Sequence, residues 1–152
     1  MCFSSQMDLA LAEAEKAAAV GEVPVGAVIV DPKGTVIASA ANRTRRDSDP
    51  TAHAEILAIR KAAKFLGNDR LVGCTMYVTL EPCAMCAGAL SHARVARIIY
   101  GAPDPKSGGT DHGARVFEHA QAHHRPEVLG GISEAACSTL IRNFFNTRRA
   151  KS

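Results

Sequence analysis

Apolar positions recur along this chain with two periods, and the switches between them outline its elements. From Met7 to Val20 the chain is alanine-rich, and Leu9, Ala12 and Ala19, with Leu11, Ala14 and Ala18, recur at helical spacing. Val25–Val30 and Thr35–Ala40 are β-rich runs on either side of Asp31-Pro-Lys-Gly34, which predicts a hairpin. A loop holding Asn42, an arginine cluster and Pro50 follows. Ile56, Ile59 and Ala63 then mark one face of a second helix near Thr51–Phe65. Cys74–Leu80 reads as a strand, Cys83–His92 as a short helix, Val95–Tyr100 as another strand and Pro103–Gly113 as loop. Val128 begins a last short strand, and Ser133 is placed to cap a final helix through Arg149.

Strands alternating with helices imply a mixed sheet covered on both faces. The expected fold class is α/β, a three-layer α/β/α sandwich around a central five-stranded sheet. No repeat, low-complexity tract or linker divides the chain, so its 152 residues read as one domain, 1–152, large enough for a real core. Hydrophobic residues make up 47% and charged residues 22%, the balance of a soluble globular protein. No apolar run approaches the roughly 18–20 residues that span a membrane, so no membrane partner is expected. The first residues, Met1-Cys-Phe-Ser-Ser-Gln, lack the basic and apolar parts of a secretory signal.

Charge and cysteine usage sharpen this only a little. The net charge of +3 divides into −3 over the first 30 residues and +6 over the rest. Basic groups gather at Arg43, Arg45 and Arg46, and again at Arg142, Arg148, Arg149 and Lys151. A solvated surface is the plainer account; the charge permits a polyanionic partner without demanding one. Five cysteines is an odd count, and two lie in a Cys-x-x-Cys pair, which fits a reducing, cytoplasmic compartment better than a disulfide framework.

The chemistry is concentrated in two short stretches, Thr51-Ala-His53-Ala-Glu55 and Glu81-Pro-Cys83-Ala-Met-Cys86. One imidazole and two thiolates, from His53, Cys83 and Cys86, suit a divalent borderline-soft metal, which points to one Zn2+ per chain. Three protein ligands leave a position for water, whereas a structural zinc site needs four. His92, His112, His119, His123 or His124 could supply a fourth. The Glu55 carboxylate is the natural group to move protons at the open position. Both motifs begin helices, where free N–H groups favour thiolates. One tension stands against this: residues i and i+2 do not share a helix face, so His53 and Glu55 converge only if the opening turn presents both. Cys74 and Cys137 read as small core residues, Cys2 as terminal and Met85 as packing. His123-His124-Arg125 is either a polar loop or a phosphate contact.

Several further stretches carry a family resemblance. Glu22-Val-Pro-Val-Gly-Ala-Val28, Asn42-Arg43, Pro50-Thr-Ala-His-Ala-Glu55, Tyr77-Val-Thr-Leu-Glu-Pro-Cys83, Met85-Cys-Ala-Gly88, Gly101-Ala-x-Asp-x-Lys106 and Phe144-Phe-x-x-Arg-Arg149 resemble successive motifs of the bacterial tRNA-specific adenosine deaminases, within the cytidine-deaminase-like superfamily. The metal motif alone is shared with cytidine, guanine and deoxycytidylate deaminases. Asn42, the Asp104/Lys106 loop and the C-terminal motif favour the tRNA enzymes.

The resemblance implies hydrolytic deamination of adenosine to inosine at the wobble position of a tRNA anticodon stem-loop. It implies that His53, Cys83 and Cys86 ligate zinc and that Glu55 shuttles protons. Asn42 would meet the flipped purine nucleotide and Asp104 and Lys106 its neighbours. Phe144, Phe145, Arg148 and Arg149 would lie on the RNA surface, and the chain would form a homodimer. Ser107-Gly-Gly-Thr-Asp-His-Gly-Ala-Arg115 departs from the family by lacking a Gly-Ser-Leu after the lysine. Two other readings stand beside this one: a deaminase of a free base or nucleoside, such as guanine or cytosine, and a zinc-stabilised RNA-binding module without turnover.

Overall fold

A computed structural model describes residues 3–151, with side chains from 6 to 148. Four helices, α1 (Phe3–Ala19), α2 (Ala54–Leu66), α3 (Ala84–Ala93) and α4 (Glu134–Lys151), pack on five strands, β1 (Gly26–Val30), β2 (Val36–Ala41), β3 (Thr75–Leu80), β4 (Arg97–Ala102) and β5 (Glu127–Leu129). The sheet order is β2-β1-β3-β4-β5. β1 runs antiparallel to β2 and β3, while β3, β4 and β5 are parallel. This is the mixed, three-layer sandwich expected. Val128 does lie in a short last strand, which pairs with Ile98 of β4. No described helix is long and apolar enough to cross a membrane.

Strand alternation divides the core in two. Ala27, Ile29, Met76, Val78 and Ile98 face α2 and α3, where they meet Ala54, Ala58, Ala62 and Leu90. Val28, Val30, Tyr77 and Ile99 face the other way, against Met7 and Ala10 of α1 and Cys137 of α4. Central β1 is therefore buried along its whole length. Gly26 lets α1 lie close on it, since a Cβ there would run into the Ala10 carbonyl.

Three local expectations need correction. The buried stripe of α1 is Met7, Ala10, Ala14 and Ala17, whereas Leu9 is 47% exposed; in so alanine-rich a helix, residue type barely distinguishes the two faces. Helix α2 begins at Ala54 rather than Thr51, because the Asp49 carboxylate accepts from the Thr51 N–H and hydroxyl and holds that residue in a turn. Ser133 precedes α4 with φ 56°, outside the extended conformation in which a serine hydroxyl caps a helix.

Candidate active site

The backbone at the start of α2 resolves the geometric tension around His53 and Glu55. His53 is the cap residue, extended at φ −70° and ψ 152°, so its side chain is not bound to the helical periodicity; Glu55 is the second residue of the helix. The start of α3 repeats the arrangement. Cys83 is its extended cap and Cys86 its third residue, and the Cys83 carbonyl accepts from the Ala87 N–H. Strand β3 delivers Cys83 to this position beside β1, which packs under α2, and the two helix starts meet.

Where they meet, His53 Nδ1 lies 3.7 Å from Cys83 Sγ and 3.5 Å from Cys86 Sγ. A tetrahedral zinc with ordinary bond lengths has N···S edges of about 3.6 Å. The imidazole therefore stands from both thiols at the spacing of a zinc site, and all three ligand atoms lie within 4.8 Å of one another. Its ionisation agrees. A hydrogen bond from Cys86 pulls the Cys83 thiol down to about 4 against the effect of burial, and His53 adds to it. The same Cys83–Cys86 bond, reinforced by burial, drives Cys86 far up, and the bond to Cys83 raises His53. Three ligand atoms that compete for protons in this way are satisfied together by one dication.

Among the described residues no fourth His, Cys, Asp or Glu joins the cluster. The candidate histidines are engaged elsewhere: His112 on Glu81, His119 on the Ala114 carbonyl, His124 on the Val95 carbonyl, and His92 against the His123 ring. The ligand set is thus three, as a catalytic zinc requires and a structural one does not. Glu55 is 4% exposed, and its Oε1 makes no hydrogen bond among the described residues. Burial lifts this carboxyl to about 7. A desolvated carboxylate with a free oxygen beside three metal ligands is poised to exchange protons.

A cavity of about 240 Å³ opens onto these groups. Val23, Val25 and Leu80 give it apolar walls, while Asn42 at the end of β2 and Asp104 and Ser107 after β4 supply polar groups. Glu22, buried, accepts the N–H groups of Arg45 and Arg46 and so fixes the loop that follows Asn42. Lys106 is exposed and outside the cavity lining. The C-terminal group lies apart from the zinc ligands. Phe144 and Arg148 line a separate cavity of about 710 Å³ against Ala18, Ala19 and Gly21 at the end of α1. The Arg148 guanidinium stacks 5.3 Å from the Phe144 ring and donates to the Gly21 carbonyl, and Phe145 is 44% exposed. The Arg149 side chain lies outside the described residues, as does Cys2.

The zinc-binding region of the cytidine and deoxycytidylate deaminases matches residues 3–102. A tRNA-specific adenosine deaminase of Agrobacterium fabrum is 50% identical over 143 residues, spanning 94% of this chain and 93% of that protein. The chain belongs to the tRNA-specific adenosine deaminase family. A solved structure from work on A-to-I editing by tRNA:A34 deaminases superposes with a TM-score of 0.87 at 50% identity, over 90% of this deaminase and 98% of that chain. A guanine deaminase from Bacillus subtilis is 41% identical but covers only 68% of this chain and 66% of its own, with a TM-score of 0.64.

Two residues that support the loops around this deaminase's cavity escape a reading of the sequence. Glu81 and Glu22 are carboxylates buried at 2% and 1% exposure, bonded mainly to backbone N–H groups distant in sequence. The usable signal was an acidic residue among apolar neighbours, in Leu80-Glu81-Pro82 and Glu22-Val23-Pro24.

Proposed function

We propose that this chain catalyses zinc-dependent hydrolytic deamination of adenosine to inosine at the wobble position of a tRNA anticodon. It does so in the cytoplasm and as a homodimer. The observation that carries the reaction is the buried, unpartnered Glu55 Oε1 beside a ligand set of three. His53, Cys83 and Cys86 hold the zinc, which when bound is a Lewis acid that makes a hydroxide-like nucleophile available near neutral pH. Glu55 takes one proton of the attacking water and passes it to purine N1 as C6 is attacked; it then takes the proton of the new C6 hydroxyl and delivers it to the amine, which leaves as ammonia as the C6 carbonyl forms. Two thiolates and a neutral imidazole balance the charge of the dication, so the pocket carries no large buried charge. Val23, Val25 and Leu80 exclude water around the base, and Asn42 holds its nucleotide.

The extent of similarity to tRNA:A34 deaminases supports an RNA substrate over a free base. So does the placement of cations: Lys106 stands just past the cavity rim, and Arg148 lies at the far end of the Gly21–Val25 connector whose valines wall the cavity. In this reading Asp104 and Lys106 contact the flanking nucleotides, and Phe144, Phe145, Arg148 and Arg149 extend the RNA surface. A loop substrate lowers the cost of splaying out the base, since its bases are not duplex-paired. Met85, 38% exposed beside the ligands, leaves an apolar side chain that a second copy would cover. Incubation with an anticodon stem-loop and with free guanine tests the substrate: inosine and ammonia from the RNA are expected. Xanthine from guanine with an untouched stem-loop would transfer the assignment to a free-base deaminase. Sedimentation at micromolar concentration tests the dimer.

A further inference from the structure

The segment after β4 that departs from the family pattern is fastened to the zinc-ligand turn by backbone contacts and by one buried side chain of that turn. Glu81, whose side chain is fully buried, accepts five hydrogen bonds. Oε1 takes the Asp104 N–H at 3.0 Å and faces His112 Nδ1 at 2.7 Å. Oε2 takes the Thr110 N–H and hydroxyl at 3.3 and 3.1 Å and the His112 N–H at 2.9 Å. The loop between these donors is pressed onto the same turn. Gly109 donates to the Pro82 carbonyl, and Gly108 bridges to Cys83. A Cβ on Gly108 would lie 2.6 Å from Glu81 Oε2, and one on Gly109 2.6 Å from the Ala84 nitrogen, so both glycines allow the approach. Asp104 and Ser107, which line the cavity, sit inside this closed segment, and the Asp104 carboxylate accepts from the Ser107 N–H.

We propose that Glu81 and His112 act as a latch that positions Asp104 and Ser107 at the cavity rim, and thereby set recognition of the nucleotides beside the target base. Neither residue belongs to the zinc-ligand cluster: Glu81 forms part of the cavity wall, and His112 lies outside its lining. Glu81 spans the two ends of the segment, Asp104 and His112, so its carboxylate decides how the segment closes. His112 supplies the only side-chain nitrogen among its five donors. The inference rests on the RNA reading for its effect on catalysis, but the latch itself is a property of the fold.

His112→Ala, Glu81→Gln and His112→Asn test it in the zinc-loaded enzyme. Asparagine places an N–H donor where imidazole Nδ1 stands, so it should restore what alanine removes. His112→Ala and Glu81→Gln are expected to raise KM for an anticodon stem-loop about tenfold, the usual effect of losing a hydrogen bond to a charged group. kcat should stay within about threefold, zinc should remain at one per chain, and His112→Asn should return KM to near the parental value. An unchanged KM in His112→Ala, or loss of zinc and kcat with no rescue by asparagine, overturns the latch. Should Glu81→Gln fail to fold, the loop variants at 112 decide alone. If the parent enzyme leaves the stem-loop untouched, the substrate reading fails instead. Amide hydrogen exchange over residues 104–112 then decides the latch, being faster in His112→Ala and restored in His112→Asn if it holds.

Discussion

The two helix starts that carry the zinc ligands and the segments that carry the proposed RNA contacts are built differently. At the starts of α2 and α3 each ligand is placed by backbone within three residues of a cap, and the His53 imidazole comes within 3.5–3.7 Å of both thiols. The 104–112 loop and the Phe144/Arg148 face depend instead on side chains reaching far along the chain: Glu81 to Asp104, Thr110 and His112, Tyr100 to Asp111, and Arg148 to Gly21. Local geometry gives the chemical centre rigidity, while long-range ties leave the recognition surface open to adjustment by one substitution. Chemistry should therefore fail all at once when touched, and recognition by degrees.

The largest effect should come from Cys86→Ala, which removes a fully buried ligand. Activity and stoichiometric zinc should both disappear. A ligand held at a thousand times its Kd stabilises a fold by about 4 kcal/mol, so thermal unfolding should move down by several degrees. Metal analysis and calorimetry check this, and an active zinc-free variant would break the comparison at its strong side. Glu55→Ala should reduce kcat by about 10²–10⁴-fold or more while zinc and RNA are still bound. Turnover close to the parental rate would remove Glu55 from its role.

On the recognition side, effects should be smaller and separable. Lys106→Ala and Arg148→Ala should each lower the salt dependence of stem-loop binding, the slope of log K against log salt, by about one. Only Arg148→Ala should also lower the melting temperature, because it loses the Gly21 carbonyl and the Phe144 ring. Equal stability of the two variants would contradict the long-range tie. The smallest effect concerns pH. Burial pushes the Glu81 carboxyl up, but the N–H groups of Asp104 and His112 and the His112 side chain outweigh it and hold it below its ordinary 4.5. A depressed carboxyl stabilises the fold above that ordinary value and loses the contribution as pH falls through the folded one. The gap in melting temperature between the parent and Glu81→Gln should narrow below pH 4.5. Comparison at each pH cancels the protonation of ligands common to both.

The same contrast explains what could be read from the sequence. Strand runs such as Cys74–Leu80 and the spacing of His53, Glu55, Cys83 and Cys86 were legible because periodicity and ligand chemistry are local. The face of α1 was not, since alanine is indifferent to which side it occupies. Whether His53 and Glu55 converge could not be decided from spacing either, because it depends on the extended conformation of the cap residue. Glu81 and Glu22 showed only as acidic residues among apolar neighbours, and His112 only as one histidine of several; their partners are distant in sequence, and no motif records them. Arg148 was legible as a cation but not as a tie to α1.

The Cys-x-x-Cys pair at the start of α3 has a second consequence once metal is withdrawn. Cys83 is partly buried at a helix N-terminus with its thiol shifted to about 4, and its neighbour Cys86 lies in hydrogen-bonding contact, whereas Cys74 and Cys137 are buried and shifted upward. A thiolate beside a thiol in that setting is the arrangement of a dithiol oxidoreductant. Among the described cysteines, Cys83 should be the first alkylated or oxidised in chelator-treated protein, closing onto Cys86. Bound zinc is therefore expected to shield this pair from oxidation, and a preparation that has lost metal should recover activity only when reductant is supplied together with zinc.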